Sequence, residues 1–165
     1  MNINTNKELL FVATGDDTPR DNKPTIKRNA ITAIVRDPIN DKYLLLKWKD
    51  VNWLAFVTGG IENGQTAEGA ARAEVSEETG YTDLHFVSPL PSYKAKFWHG
   101  PKGENRLAHF QCFLFKLTEN SNKIEVATEE TKKHNEVWLS IAELESADLQ
   151  EGPHFLLNHI ISKGL

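Results

Sequence analysis

The order of hydrophobic and polar positions divides the chain into a first part with little regular pattern and a longer part with many predicted elements. In the first part, residues 9–12 form an apolar run that favours a short strand. The residues after this run are rich in Gly, Asp, Asn, Thr and Pro, as in a loop. We therefore predict a partly ordered N-terminal extension at residues 1–28 and one folded domain at residues 29–165.

Within the second part, short apolar runs alternate with turn-forming residues, a pattern that predicts several strands and a few helices. The runs expected to form strands are residues 30–35, 43–48, 53–57, 84–87, 93–98, 106–117 and 136–139. A helix is predicted at residues 66–79, with Thr66 as its N-cap and Gly80 at its C-terminal end. Ser140 starts a second helix that runs to residue 149, and Pro153 lies in the first turn of a third. These elements predict an α/β (α+β) fold with a mixed central sheet and helices on its faces.

Composition and charge narrow the class of protein. The chain has 165 residues, of which 39% are hydrophobic and 25% charged, and its formal net charge is −4. This charge argues against general binding to nucleic acid or to an anionic membrane. No run approaches the ~20 apolar residues of a membrane span, and a single cysteine, Cys112, excludes an intrachain disulfide. We expect a cytoplasmic protein, and a homodimer is compatible with the sequence.

Three glutamates near the end of the predicted helix at residues 66–79 carry the clearest chemical signal. A helix turns by about 100° per residue, so Glu74, Glu77 and Glu78 share an arc of about 100° on one side. Like charges at this spacing repel, so a cation between them is expected, and an all-carboxylate site suits Mg²⁺ or Mn²⁺ best. Two glycines upstream, beginning with Gly59, let the backbone approach a ligand closely. Glu77 and Glu78 alone are more typical of a solvated helix face; together with Glu74 and the glycines they indicate metal-assisted attack on a phosphate.

The stretch from Gly59 to Tyr81 resembles the signature of the Nudix hydrolase family, G-x5-E-x7-R-E-U-x-E-E-x-G-U, in which U is a bulky apolar residue. Seven of the nine specified positions match. The matching residues are Gly59, Glu74, Val75, Glu77, Glu78, Gly80 and Tyr81. The resemblance implies a Nudix-like α/β/α sandwich over about residues 29–165.

Two positions depart from the signature, and both lie beside the glutamates rather than among them. Gln65 stands in place of the first glutamate and keeps hydrogen bonding without the charge. Ala73 stands in place of an arginine that would lie four residues before Glu77 and could orient it. Arg72 faces about 160° away from Glu74 on a helix and cannot take that place. We expect metal binding to survive, because neither change removes a glutamate of the E-x-x-E-E core. Either another cation orients Glu77, or the site is looser and catalysis is slower.

The resemblance implies a role for each residue of the motif. In this family the E-x-x-E-E glutamates and the backbone carbonyl of the loop glycine, here Gly59, hold the metal. Glu74 and Glu78 are therefore expected to be the main metal ligands. Glu77 is expected to be a third ligand or the base for a metal-bound water.

Residues outside the motif are candidates for a late base and for substrate contacts. Many family members take a further glutamate from a late loop, where Glu129 and Glu130 stand, although charged loop residues are usually just solvated. The candidates for substrate binding are two aromatic residues and two cations: Trp98, Phe97, Lys96 and Arg106. Core packing is the commoner role for the aromatics, and a solvated loop is an equally typical one for the cations. Trp53 and Trp138 are further stacking candidates. The histidines, His134 among them, lack zinc-like spacing and are expected at the surface or at helix ends.

The resemblance thus predicts a metal-dependent pyrophosphohydrolase. It would cleave a diphosphate bond in a nucleoside diphosphate linked to another group X, by attack of a metal-bound water. One alternative is a Nudix fold that binds nucleotides or regulates but has lost turnover, because of Gln65 and Ala73. Another is an accessory module for RNA or for another enzyme, suggested by residues 1–28.

Overall fold

The computed structural model of the protein describes residues 8–165, which form a sheet with helices packed on both faces. The strands are β1 (Leu10–Val12), β2 (Thr25–Asp37), β3 (Lys42–Trp48), β4 (Leu54–Ala55), β5 (Val57–Gly60), β6 (His85–His99), β7 (Glu104–Lys116) and β8 (His134–Leu139). The helices are α1 (Ala67–Thr79), α2 (Thr128–Lys133), α3 (Ile141–Glu145) and α4 (Glu151–Lys163), with single 3₁₀ turns at Gly15–Asp17 and Gly100–Lys102. Within the described range, no helix combines the length and the apolar character needed to cross a membrane.

The strands of the described range form one mixed sheet. Its order is β1-β6-β7-β2-β3-β4, with β5 paired to β2 and β8 paired to β3. Strands β2 and β7 run parallel, whereas β6 and β7 form a long antiparallel pair. Parallel and antiparallel pairing in one sheet, with helices on both faces, confirms the predicted α/β (α+β) class with a mixed central sheet.

Alternate residues of the central strands point to opposite faces of the sheet and build two separate cores. On one face, Ile31 of β2 packs in a cluster with Val75 of α1, and both are fully buried. On the other face, Ile34 of β2 packs in a cluster with Leu156 of α4, again fully buried. Burial of each such side chain contributes about 1.5–3 kcal/mol. The two clusters fix α1 and α4 on opposite faces of the sheet.

The described part of the N-terminal segment joins this architecture. Strand β1, which the apolar run at residues 9–12 predicted, runs parallel to β6 and places Phe11 beside Ala95. Strand β2 begins at Thr25, so residues 25–28 extend the central strand beyond the domain's expected start at residue 29. The first seven residues of the predicted extension lie outside the described residues.

Several observed elements differ from the predicted ones; for example, the strand expected at residues 53–57 is divided into β4 and β5. Residues 84–87 and 93–98 were expected as two strands but belong to the single strand β6, which shifts register between Phe86 and Ser88 and between Leu90 and Tyr93. Prolines 89 and 91 cannot donate to a ladder, and such irregularities accommodate them. Helix α2 was not predicted, because its six polar residues show no apolar periodicity. Helix α3 ends at Glu145 rather than at residue 149.

Candidate active site

Helix α1 holds the glutamates of the motif in a defined orientation. The Thr66 hydroxyl accepts a hydrogen bond of 3.0 Å from the Gly69 N–H and caps the N-terminus. The helix ends at Gly80, whose φ of 80° is the left-handed conformation that glycine adopts without strain. Ala71 and Val75 on its inner face are fully buried. Since both ends and the inner face are anchored, the outer glutamates project from a rigid element.

Strand β5 brings the loop glycine directly beneath one of these glutamates. Gly59 pairs with Ile31 of β2 in the sheet. A Cβ atom added at Gly59 would overlap the carboxylate of Glu74. Only glycine, which has no Cβ atom, leaves room for the Glu74 side chain across the strand. The carboxylate therefore lies directly against the β5 backbone.

Burial and mutual repulsion raise the pKa values of two glutamates. Burial raises the pKa of Glu74 to about 7, and the charges of Glu77 and Glu130 act in the same direction. Burial likewise raises the pKa of Glu78 to about 8, and Glu74 and Glu130 add repulsion. Glu78 Oε2 is buried and has no hydrogen-bond partner among residues 8–165. Such an atom costs about 1–3 kcal/mol when it stays unpaired, which a cation would offset.

The segment from α2 to β8 brings a fourth carboxylate and a histidine to the same place. Glu130 Oε1 accepts a hydrogen bond of 2.7 Å from Lys133 Nζ, and Glu130 Oε2 lies 3.6 Å from His134 Nε2. One ligand atom from each of Glu78, Glu130 and His134 can be chosen so that all three lie within 4.8 Å of one another. The neighbouring Glu129 is exposed and is not part of this group. Of the two predicted late-loop glutamates, only Glu130 therefore faces the α1 glutamates.

A cleft of about 460 Å³ opens on the α4 side of the sheet. Its lining includes seven aromatic residues: Phe11, Trp48, Trp53, Phe56, Tyr93, Phe97 and Phe110. The N-terminal segment forms one wall, where Asp17 Oδ2 accepts a hydrogen bond of 3.0 Å from Trp53 Nε1. Trp48 also packs edge-on against His134, with ring centroids 5.1 Å apart. Thr58, the residue before Gly59, lines the same cleft. Trp48 lines the cleft and contacts His134, so it connects the cleft with the carboxylate cluster.

The four predicted substrate-binding residues separate into two pairs. Phe97 and Lys96 line the cleft. Trp98 does not: it is 8% exposed and lies under the Arg20 guanidinium, 4.2 Å from the ring centroid. Arg106 donates to Glu104 at 3.1 Å and is likewise absent from the lining. Trp98 lies outside the lining because Arg20, in the chain's own N-terminal segment, covers its ring.

Other site residues escaped prediction. His134 was expected at the surface or at a helix end, yet its side chain is only 3% exposed and faces the carboxylates. Lys133 and Trp48 were not singled out at all. Of the further stacking candidates, Trp53 lines the cleft, whereas Trp138 donates to Glu136 at 2.8 Å and packs against Tyr81. Glu130 lies only three and four residues before Lys133 and His134. The sequence does not mark either residue as part of the site, because the α1 glutamates beside them lie far away in the chain.

Comparison with known proteins assigns the fold and the family. The family model described as NUDIX domain matches residues 26–157, which is most of the chain. The chain belongs to the Nudix family. It is a Nudix-type pyrophosphohydrolase, as the resemblance of the motif implied. No curated protein matches the chain significantly.

Several solved structures share the fold at low sequence identity. The E. coli ORF135 protein is 17% identical with a TM-score of 0.58, over 84% of this chain and 91% of that one. A NUDIX hydrolase from Nitrosomonas europaea is 19% identical with a TM-score of 0.53, over 84% and 90%. The MutT protein of Methanosarcina mazei is 14% identical with a TM-score of 0.56, over 87% and 97%. The likeness extends along almost the whole length of each protein.

The two departures from the Nudix signature have visible structural consequences. Gln65 Oε1 accepts a hydrogen bond of 3.0 Å from the Glu62 N–H, so the amide closes the loop without a charge. Arg72 donates to Glu68 at 2.9 Å and to the Leu84 carbonyl at 2.6 Å, away from the glutamate cluster. Within residues 8–165, no ion pair reaches Glu77. The cation beside the cluster is instead Lys133, which lowers the pKa of Glu78 against the effect of burial.

The residues present fit the divalent cation on which Nudix enzymes depend. The Glu78 and His134 side chains each have a buried atom, Oε2 and Nε2, that lacks a hydrogen-bond partner in the described part of the chain. Buried polar atoms are normally paired, so two such atoms beside further carboxylates fit a cation bound between them. Carboxylate oxygens are the donors that hard divalent cations prefer.

Proposed function

We propose that this Nudix protein hydrolyses a diphosphate bond in a nucleoside diphosphate that is linked to another group X. The observation that carries the proposal is the buried, unpartnered Glu78 Oε2 beside Glu74, whose carboxylate lies over the β5 backbone at Gly59. Raised pKa values at both glutamates mark a site that favours the approach of positive charge.

The ion that we propose is Mg²⁺ or Mn²⁺, held by Glu74, Glu78 and the Gly59 carbonyl. When bound, such an ion lowers the pKa of a coordinated water and screens the charge of the diphosphate. Glu77 is exposed. It can therefore reach the attacking water from the solvent side and serve as a base or as a third ligand. Glu130 supplies the late carboxylate, with Lys133 balancing part of its charge.

The cleft is the proposed site for the nucleoside. Aromatic side chains such as Trp53 and Phe97 offer flat surfaces on which a base can stack. Lys96 lies in the same lining and can meet a phosphate. Because Trp48 lines the cleft and also contacts His134 beside the carboxylates, a nucleoside bound in the cleft would extend its diphosphate towards Glu74 and Glu78.

The direct test is a panel of nucleoside triphosphates, nucleotide sugars and dinucleoside polyphosphates, incubated with the protein and Mg²⁺ or Mn²⁺. Phosphorus NMR and chromatography would identify the bond that breaks. We expect cleavage of at least one diphosphate compound, abolished by chelation. Glu77→Gln should lower kcat by about 10²–10⁴-fold, the usual contribution of a general base.

The second candidate is a nucleotide-binding module with weak turnover, favoured by the lack of an ion-pair partner for Glu77 in residues 8–165. The same panel separates the two. Tight binding of a nucleotide by calorimetry, with no product from any compound under either metal, would establish the binding module and refute the hydrolase.

A further inference from the structure

The imidazole of His134 is buried beside the carboxylate cluster with one ring nitrogen unpartnered. Its side chain is 3% exposed. Nε2 has no hydrogen-bond partner among residues 8–165. Trp48 packs edge-on against the ring at 5.1 Å and closes one side. Buried polar atoms are rarely left unpaired, so a ligand that the protein itself does not provide is expected at this nitrogen.

Two carboxylates lie close to this imidazole. Glu130 Oε2 lies 3.6 Å from Nε2, beyond hydrogen-bond distance. The ligand atoms of Glu78, Glu130 and His134 all lie within 4.8 Å of one another. Lys133 pairs with Glu130 Oε1 at 2.7 Å, which leaves Oε2 on the side of the cluster. Ligand atoms that share one cation lie about 3–4 Å apart, so the three residues need only a small movement to meet at one ion.

We propose that His134 Nε2 is a nitrogen ligand of the divalent-cation site, with Glu78 and Glu130 as its carboxylate neighbours. This inference rests on the proposed function, because it adds a ligand to the same site. Mg²⁺ takes oxygen ligands almost exclusively, whereas imidazole nitrogen suits first-row transition ions. The mixed set of nitrogen and oxygen donors therefore shifts the preference of the site from Mg²⁺ towards Mn²⁺.

The test uses Mn²⁺ itself as the probe and does not depend on activity. Pulsed electron paramagnetic resonance of the full chain loaded with Mn²⁺ should show the modulation of a directly bound imidazole nitrogen. His134→Gln keeps a polar side chain of similar length but removes the ring, and it should abolish that modulation. His159→Gln is the matched control, since His159 lies on α4 at the opposite face of the sheet from α1.

Calorimetric titration with each metal provides a second measurement. His134→Gln should weaken Mn²⁺ binding by about 10-fold or more and Mg²⁺ binding by less than about 3-fold, given the usual 10–100-fold cost of disturbing a metal site. Far-UV circular dichroism and the melting curve establish that each variant is folded, and His134→Asn gives a second replacement if the glutamine variant is not.

The outcomes separate the inference from the function on which it rests. Bound Mn²⁺ without nitrogen modulation, or with modulation that His134→Gln leaves unchanged, overturns the role of His134 and leaves the metal-dependent hydrolase standing. Equal loss of Mn²⁺ and Mg²⁺ affinity in His134→Gln also overturns it, because such a loss indicates a structural role. Failure of the unsubstituted protein to bind Mn²⁺ at all overturns both proposals.

Discussion

Helix α1 and the segment from α2 to His134 both place carboxylates in the same cluster, but the two elements are stabilised in different ways. Helix α1 has 13 residues, a side-chain cap at Thr66 and a left-handed glycine at its end. Helix α2 has six residues, none of them buried, and its N-cap Ala127 makes no side-chain capping bond. An isolated helix of this length is not stable in water. The first element is held by packing, and the second by its immediate neighbours.

This difference assigns different roles to the glutamates. Glu78 is partly buried and is repelled by the charges of Glu74 and Glu130. It stays there because packing of the inner face of α1 fixes the helix backbone. Glu130 is positioned by a half-exposed ion pair with Lys133, and such pairs contribute only about 0.2–1 kcal/mol. Helix α1 therefore defines the site before any ligand binds, whereas α2 can adjust to what is bound.

The largest expected effect comes from neutralising the packed glutamate. Glu78→Gln should lower kcat by about 10³-fold or more, as for other groups that act directly on the reacting atoms. The same change should raise the Tm of the metal-free protein, because it removes repulsion from a buried place. Steady-state kinetics on a substrate from the nucleotide panel and thermal unfolding in chelator measure the two effects.

The matched control for that variant lies on the other side of the same helix. Glu68 pairs with Arg72 away from the cluster. Glu68→Gln should change the rate by less than about 2-fold and lower the stability by about 0.3–0.5 kcal/mol, the usual worth of such a pair. A Glu78→Gln variant with a rate as high as that of Glu68→Gln would contradict the central role of α1.

The next largest effect tests the contact between β5 and α1. In Gly59→Ala the new Cβ would overlap the Glu74 carboxylate, so the side chain must move away from the strand. We expect kcat to fall by about 10²-fold, typical of a misplacement of about 1 Å. Gly100→Ala is the control, because its Cβ would meet only Trp98 Nε1 at 3.7 Å, an ordinary contact. Equal activity of both variants would show that Glu74 does not need its observed position.

The same contrast explains how much the sequence could predict. The bounds of α1 follow from Thr66 and Gly80, which act on their own neighbours, and the helical repeat aligns the three glutamates. The sites of His134 and Trp98 could not be predicted in this way. His134 meets Glu78 only because β8 pairs with β3, and Trp98 is covered by Arg20 through the folding of the N-terminal segment. Helix ends and helical spacing can be predicted from neighbouring residues, whereas contacts that depend on strand pairing cannot.

A smaller effect should separate the two late glutamates. Glu130→Gln removes a charge from the cluster and should lower kcat by about 10-fold, less than Glu78→Gln because α2 is not held by packing. Glu129→Gln, at the adjacent exposed position, should leave kcat within about 2-fold. Kinetics of both variants with the same substrate decide the point. A larger loss in Glu129→Gln would mean that α2 presents a different face when substrate binds.

A dependence of stability on pH, which α1 should dominate, is expected alongside these effects on the rate. Glu74 and Glu78 have an ordinary pKa of 4.5, raised in the folded protein to about 7 and about 8. The folded state therefore holds more protons than the unfolded state between these values, and stability must fall as the pH rises from about 4.5 to about 8. In chelator, Tm should drop by about 10 °C or more over this window, because each unit by which a pKa is raised corresponds to about 1.4 kcal/mol of stability. The drop should largely vanish in Glu78→Gln combined with Glu74→Gln but persist in part in Glu130→Gln.

Excess Mn²⁺ should raise Tm more at pH 8 than at pH 5.5, because a cation competes with protons for the same carboxylates. A Tm of the metal-free protein that rises across the window would show that these carboxyls are not destabilised by their burial on α1.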